Sequence, residues 1–554
     1  MSPSGTFASD RLSAARDFAH TLIVVDDDAW KPTPPGASPR PGLRPPRRRL
    51  PAPASDAGQK ELFLIRHALD TESLVGAALE LGLICSVVRP PKRKSIKAQV
   101  TLAAKRADII CLDWELHEDG GDSATKMITE IARADEERNG RLRLIAIYTG
   151  DTNNNQILEK VFNAFSRAYR ERFGLKRDAI RIESNHGLRI VCLFKAHGVP
   201  LADARRERQV KEADLPKRLQ EEFACLAGGL LSNVALATIA SIRDVTHHVL
   251  AKVSAPMDGP YFHHRSILPM VGDAEEYSVD VVLSDLKSEV DKRGVAQRFA
   301  GPDSIAGRIR EIANGSPTLP LRYPGGNAPA VFNVDLDDVI RLVTDGCTVG
   351  HAKIQTANKP NLKVFKRALS SLFTTDITTA HAEMREFAVL SGVKSHPGSY
   401  LYKSGKKFPQ LGLGSVVRNK KGSYYLCLQA SCDSVRVRKR AAFLFIPLNK
   451  SEDSPEHVVP VLGKRAKVDW IGLAAPETAY AESLSVLFDP DAKTETVLAK
   501  RAKGGRLYFF ETADGEQYRW VADLKQRRAL RTAMQLGQSM GRLGFDEFEP
   551  FRQK

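Results

Sequence analysis

Five short, largely apolar runs punctuate the first 200 residues: Leu22 to Val25, Leu83 to Val88, Ile109 to Leu112, Leu144 to Tyr148 and Arg189 to Phe194. Runs of this length without polar alternation mark strands covered on both faces, as in a parallel sheet wrapped by helices. Between them, Asp70 to Leu81 reads as a first helix. Ile157, Val161, Phe165 and Tyr169 recur at helical spacing within Ile157 to Phe173, and Ile180 to Phe194 reads as a hairpin turning at Asn185-His186-Gly187. Residues 201 to 253 show two apolar stripes, Leu215, Leu219, Phe223 and Leu226, then Ile239, Ile242, Val245 and Val249. Short helices are expected at Val279 to Val282, Ser288 to Phe299, Ile305 to Ala313, Asp337 to Thr344 and Ala380 to Leu390, divided by a Pro-rich loop, Pro317 to Pro329. Strand-like runs come next, at Gly414 to Arg418, Tyr424 to Gln429, Val435 to Val437 and Phe443 to Pro447. A hairpin of Arg506 to Thr512 and Gln517 to Ala522 turns at Asp514-Gly515, and Leu524 to Leu543 makes a terminal helix. The pattern predicts an α/β protein: a doubly wound parallel-sheet domain with insertions over 1–200, a mainly helical region over 201–395 and an α+β domain over 396–554.

The polar residues that end these runs carry more information than the runs themselves. Val25 is followed by Asp26-Asp27-Asp28, Leu112 by Asp113, Tyr148 by Thr149-Gly150-Asp151 and Phe194 by Lys195. Carboxylates at the ends of neighbouring buried strands repel one another unless a hard divalent cation neutralises them, and magnesium is the candidate. Strand-end acids often cap helices, which accounts for any one of these residues but not for their order. A carboxylate attacks phosphorus poorly because both partners are negative, so charge cancellation matters more than a base. Magnesium and Lys195 supply it, and the product is a mixed anhydride on Asp113.

These residues, in this order, resemble the receiver domain of bacterial two-component response regulators over residues of about 20 to 200. The resemblance implies a flavodoxin-like fold. It makes Asp26 and Asp27 the acidic pair that holds Mg2+, and Asp113 the acceptor of a phosphoryl group from a partner histidine kinase. The main-chain carbonyl of Glu115 joins the metal shell, Thr149 is the switch hydroxyl and Lys195 contacts the phosphoryl oxygens. It also implies a phosphoacceptor rather than an enzyme, with self-phosphorylation and self-dephosphorylation of Asp113 at most. Three departures stand out. An insertion of about 31–60 includes Lys31-Pro32-Thr33-Pro34-Pro35-Gly36 and Pro45-Pro46-Arg47-Arg48-Arg49, where prolines and like charges disfavour helix and strand. A second insertion comes after Thr149, and Ala196 stands where the family has Pro after the lysine. The first two place extra mass beside the acceptor face. A further similarity, carried by Tyr424 to Gln429 and Phe443 to Leu448 behind the receiver, is to the atypical receiver proteins of Detocs-type anti-phage phosphorelay systems. It implies a stress-sensing kinase as partner and a tail that relays phosphorylation or drains it.

Composition adjusts this picture only at the edges. A chain of 554 residues with 42% hydrophobic content holds two to four domains with sizeable cores. Its seven cysteines are scattered, several within apolar runs, which suits a reducing cytoplasm, and no secretory leader pattern opens the chain. The longest apolar stretch, Leu226 to Ile242, contains Ser232, Asn233, Thr238 and Ser241 and falls short of the roughly 20 residues of a membrane span; a buried helix is expected. The formal charge of +16 and the patches Arg44 to Arg49, Lys92 to Lys97, and Arg436 to Arg440 with Lys420 and Lys421 nearby raise an alternative, a basic nucleic-acid-binding protein built on a degenerate receiver. No RNP-like aromatic pair or helix-turn-helix signature accompanies the charge, so an acidic protein partner or downstream effector explains it equally well. The stripes of 201–253 offer a homodimer surface or core packing. His247-His248 and His263-His264 lack acidic or thiol partners at ligand spacing, Cys427 and Cys432 lack a second pair, and Cys432-Asp433 lacks an activating histidine. No catalytic constellation is visible beyond residue 201.

Overall fold

The computed structural model describes residues 7–30, 69–90, 100–137, 140–151, 153–185, 187–196, 203–268, 271–325, 330–399, 407–452, 455–462, 468–502 and 507–540, with residues 402 and 505. The Pro/Arg-rich insertion and the patches at 44–49 and 92–97 lie outside the described residues. The chain divides into two compact units, Met1–Thr318 with Asp335–Ile354, and Leu319–Val334 with Gln355–Lys554.

The first unit is built on a mixed sheet. Its strands are β1 (Thr21–Val25), β2 (Ile84–Val88), β3 (Ile109–Leu112), β4 (Arg143–Thr149), β5 (Lys176–Arg177), β6 (Arg181–Glu183), β7 (Leu188–Lys195) and β8 (Gln209–Val210). They lie in the order β2-β1-β3-β4-β7-β6-β5, with β8 added beside the end of β7. Strands β2, β1, β3, β4 and β7 are mutually parallel, and β6 and β5 continue the sheet antiparallel. This is the flavodoxin-like, doubly wound arrangement with the expected second insertion added at one edge. The hairpin expected at 180–194 is β6 and β7, closed by Gly187 in the left-handed region (φ 86°).

Alternation along each strand divides its side chains between two cores. On one face Ile23, Val25, Ile110, Leu112, Ile145 and Ile147 meet Met127, Ile128 and Ile131 from Asp122–Glu136 and Ile157, Leu158 and Val161 from Asn154–Ala164. On the other, Leu22, Val24, Ile109, Cys111, Leu144, Ala146 and Tyr148 meet Ala14 and Ala15 of Phe7–Phe18, Leu74 of Thr71–Glu80, and Leu215, Leu219 and Phe223 of Leu215–Ala224. Of the two roles offered by the first stripe of 201–253, core packing against the first unit's sheet is the one its residues take. Val245 and Val249 of Leu230–Lys252 are also buried, whereas Ile239 is exposed. Among the described residues no single helix is long and apolar enough to cross a membrane.

Four local expectations change. Ile157 to Phe173 is two helices, because Phe165 is extended and Ser166 caps a new helix, Arg167–Phe173, by accepting the Tyr169 N–H at 3.2 Å. Val279 to Val282 and Ser288 to Phe299 are absorbed into Asp273–Lys292 and Val295–Ala300, parted at Gly294 (φ 64°). The loop Pro317 to Pro329 contains a strand, Thr318–Tyr323, paired with Ala330–Asp335; Leu319 and Leu321 face inward while Pro320 is accommodated in a two-stranded ribbon that needs few ladder donors. Val435 to Val437 is not a strand, since Arg436 adopts φ 65° and Ser431–Ser434 coils just before it.

The second unit holds a ten-stranded sheet around Trp520, Tyr508, Phe443, Phe445, Phe488 and Phe510. Its expected strands Ser415–Arg418, Tyr424–Cys427, Ala441–Lys450, Tyr508–Glu511 and Gln517–Leu524 are joined by His457–Leu462, Val468–Ala474 and Leu484–Phe488, which the sequence did not reveal. The helix Gln526–Met540 comes after the last strand.

Candidate phosphoacceptor and metal site

Strand register brings the polar run-ends to one edge of the first unit's sheet. Val25 pairs with Leu112, Leu112 with Ile147, and Thr149 with Phe194, so Asp26, Asp113, Thr149 and Lys195 emerge together at the carboxyl ends of β1, β3, β4 and β7. Main-chain ladders extend past the strands and fix both acids: Asp113 N–H donates to the Val25 carbonyl at 2.8 Å, and Asp26 N–H to the Val88 carbonyl at 3.1 Å.

Lys195 Nζ is the centre of the cluster. It donates to Asp26 Oδ2 at 2.9 Å and to Asp113 Oδ2 at 3.2 Å, with Lys195 and Asp26 both buried. Ligating oxygens of Asp26, Asp27 and Asp113 lie within 4.8 Å of one another. Asp26 Oδ1 accepts the Asp28 N–H at 2.8 Å, and Asp27 Oδ2 accepts the His117 N–H at 3.0 Å. Burial pushes the Asp113 carboxyl up to about 7; Lys195 opposes that rise and Asp26 adds to it. For Lys195 burial acts downward, but Asp113 and Asp26 outweigh it and hold the ammonium above its ordinary range, so it stays a cation.

Thr149 stands at the same edge, buried, its Oγ1 accepting the Asp151 N–H at 3.0 Å and its own O–H proton still to donate. Glu115 is exposed in the turn beyond Asp113; its carbonyl accepts the Glu118 N–H at 3.2 Å, one of two lone pairs, and its carboxylate accepts the Gly120 N–H at 3.2 Å. Asp26, Asp27, Asp113 and Lys195 are thus drawn into one contact network, while Thr149 and the Glu115 carbonyl flank it without a direct bond to Asp113. Three hard carboxylates against one ammonium leave a net negative centre. The donor set fits a divalent oxygen-seeking cation such as Mg2+.

Two neighbours escaped sequence reasoning. His117 approaches Asp27 Oδ2 through Nδ1 at 3.3 Å, a contact made by chain segments 90 residues apart that no spacing rule signals. Tyr148 lies under Lys195, Nζ 5.8 Å from its ring centroid, and donates its O–H to the Val210 carbonyl at 2.8 Å.

The turn after Asp113 is closed by Gly121 at φ 86°, where a Cβ would fall 2.1 Å from the buried Trp114 indole. Gly121→Ala is therefore expected to destabilise the protein by about 2–4 kcal/mol, from left-handed strain plus overpacking, as read by urea unfolding.

The basic runs of the second unit do not form one patch. Lys420 and Lys421 turn between Ser415–Arg418 and Tyr424–Cys427, whereas Arg436 to Arg440 precede Ala441–Lys450; pairing of Tyr424 with Leu448 and Cys427 with Phe445 puts the two groups at opposite ends of that strand. Arg438 pairs with Glu495 and Arg440 with Asp489.

Residues 18–200 match the family model of the response receiver domain. That part of the chain, about a third of it, is a response-regulator receiver domain. No curated protein and no solved structure matches the chain.

Proposed function

We propose that the chain is a response-regulator-like signalling protein that takes a phosphoryl group onto Asp113 from a histidine kinase. Asp26, Asp27, Asp113 and the main-chain carbonyl of Glu115 would hold Mg2+. The observation that carries this reading is the buried Lys195 ammonium bridging Asp26 and Asp113 beside Asp27.

Asp113 Oδ attacks phosphorus; the P–O bond forms as the P–N bond to the donor imidazole breaks, and that imidazole takes up a proton as it leaves. Lys195 transfers its hydrogen bond from the Asp113 carboxylate to a phosphoryl oxygen. Thr149, whose oxygen is already engaged by Asp151 N–H, donates its proton to another and is drawn toward the acceptor. A divalent cation on Asp26, Asp27 and Asp113 would supply charge cancellation between nucleophile and phosphoryl group.

We place this reaction in a two-component or defence-type phosphorelay of the Detocs kind, in the cytoplasm, where the seven free cysteines are at home. Residues 396–554 serve as output or partner-binding module. One observation favours a second reading, nucleic-acid binding: residues 401–450 carry eleven Lys and Arg against one Asp. Incubation with acetyl phosphate and Mg2+, then a phosphate-retention gel, is expected to give a retarded band for the full chain. Salt-sensitive nucleic-acid binding with no retarded band would favour the second reading instead.

A further inference from the structure

Across residues 250–283 the chain forms helix without forming a core: of the described residues there, only Ala274 is buried. The helices Leu230–Lys252 and Asp273–Lys292 lie antiparallel, pinned where Lys252 pairs with Asp285 and Glu289 and where Asp244 pairs with Arg293. That register carries residues 273–283 past the end of the first helix. Beside them there runs the helix Asp258–Ile267, tied to them by the Arg265–Glu275 ion pair at 3.1 Å and by the rings of His264 and Tyr277, 4.9 Å apart. The two form an arm of the first unit.

The arm is apolar as well as exposed. Leu250, Phe262, Ile267, Tyr277, Val279 and Leu283 are each 53–71% exposed. Together they present roughly 700 Å² of surface, above the ~300–600 Å² of the largest apolar patch on a typical monomer and close to the ~800 Å² that one partner buries in a standard interface. Helical spacing puts Tyr277 on the side of Asp258–Ile267 and sets Val279 and Leu283, four apart, on the opposite side, left to solvent. A helix apolar on both sides is one that packs on both sides.

Charge identifies what packs there. Residues 273–283 carry four acids, Asp273, Glu275, Glu276 and Asp280, and no base. Residues 243–268 carry Arg243, Lys252, Arg265 and four histidines against Asp244 and Asp258. An acidic helix is repelled by anionic lipid and by nucleic acid. A surface with one acidic half and one weakly basic half, rich in imidazole N–H donors, complements itself when turned over by a two-fold axis.

We propose that this arm pairs with the arm of a second copy of the chain. The acidic helix of each lies on the Asp258–Ile267 helix of the other, with Phe262, Ile267, Val279 and Leu283 between them. The pairing uses helices beyond the receiver match of 18–200 and does not depend on phosphorylation of Asp113.

Sedimentation equilibrium of the full chain at about 10 µM is expected to give twice the 61.0 kDa of one chain. Phe262→Glu with Leu283→Glu changes two side chains that are exposed in the single chain, and is expected to weaken pairing about 100-fold or more with the circular dichroism unchanged. Hydrogen exchange of the wild type is expected to slow in peptides from residues 258–283 as its concentration rises through the dimer Kd, and this comparison decides alone should the variant fail to fold. A single-chain mass at every concentration up to about 100 µM overturns the proposal. So does a two-chain mass that the folded variant retains, or one whose exchange protection falls outside the arm. Flotation of the wild type as a single chain with phosphatidylcholine–phosphatidylserine vesicles also overturns it, and gives the arm to a lipid surface.

Discussion

Asp113→Asn is expected to abolish labelling by acetyl phosphate and, in the same protein, to stabilise the metal-free fold by about 3 kcal/mol at pH 8. The second effect comes from the sign of the shift. Burial raises the Asp113 carboxyl to about 7 in the folded protein, against an ordinary value of 3.8. Ionising it is harder in the folded than in the unfolded chain, so the metal-free protein loses stability as pH climbs from about 4 to about 7, and the loss persists above that. The amide removes the charge while Lys195 keeps Asp26 at 2.9 Å. Urea midpoints of wild type and variant should converge near pH 4 and separate by pH 8 with a chelator present. Adding Mg2+ should close the gap, because the cation stabilises only the folded protein that still has all three carboxylates.

Arg143→Met is expected to cost about 3–5 kcal/mol while leaving the acceptor chemistry of the folded fraction intact. Arg143 is fully buried at the start of β4. Its Nε and Nη2 grip Asp135 Oδ2 and Oδ1 at 2.6 and 2.8 Å, and its remaining protons go to the carbonyls of Ala104, Lys105 and Ala107. Methionine fills much of the volume but strands a buried carboxylate and three acceptors. Arg143→Met with Asp135→Leu should recover part of the loss, the part due to the unpaired acid, with the carbonyls still unsatisfied. Denaturant titration of both variants separates the two contributions, and labelling yield per folded molecule serves as the control because the other end of β4 carries the site.

Strands buried on both faces leave uninterrupted apolar runs, and that is why β1, β3, β4 and β7 were legible in the sequence together with the polar residues that end them; the edge strand β2 is only half-buried and was legible from its β-branched residues alone. Arg143 marks the limit of such legibility: a strand that begins with a guanidinium looks as though it begins one residue later, at Leu144, because nothing nearby in sequence announces the Asp135 and carbonyl partners that neutralise it. Pro320 hid a strand in the same way, by mimicking a loop. His457–Leu462 and Val468–Ala474 pair with each other at one end of the second unit's sheet, where partial exposure and Pro460 blur the hydrophobic alternation. In the site, the strand-end residues Asp26, Asp113, Thr149 and Lys195 were visible as the ends of runs. His117 was not, since its position depends on a turn whose shape is fixed by contact with Asp27 rather than by any local preference.

The proposed function requires Asp113 to become the covalent phosphoryl carrier. Full-length protein treated with acetyl phosphate and Mg2+, then with hydroxylamine, converts an aspartyl phosphate to a hydroxamate that peptide mass spectrometry locates. A hydroxamate at Asp113, lost when Mg2+ is withheld, is the predicted result; a hydroxamate at Asp26 or Asp27 instead, or on no aspartate at all, would contradict it.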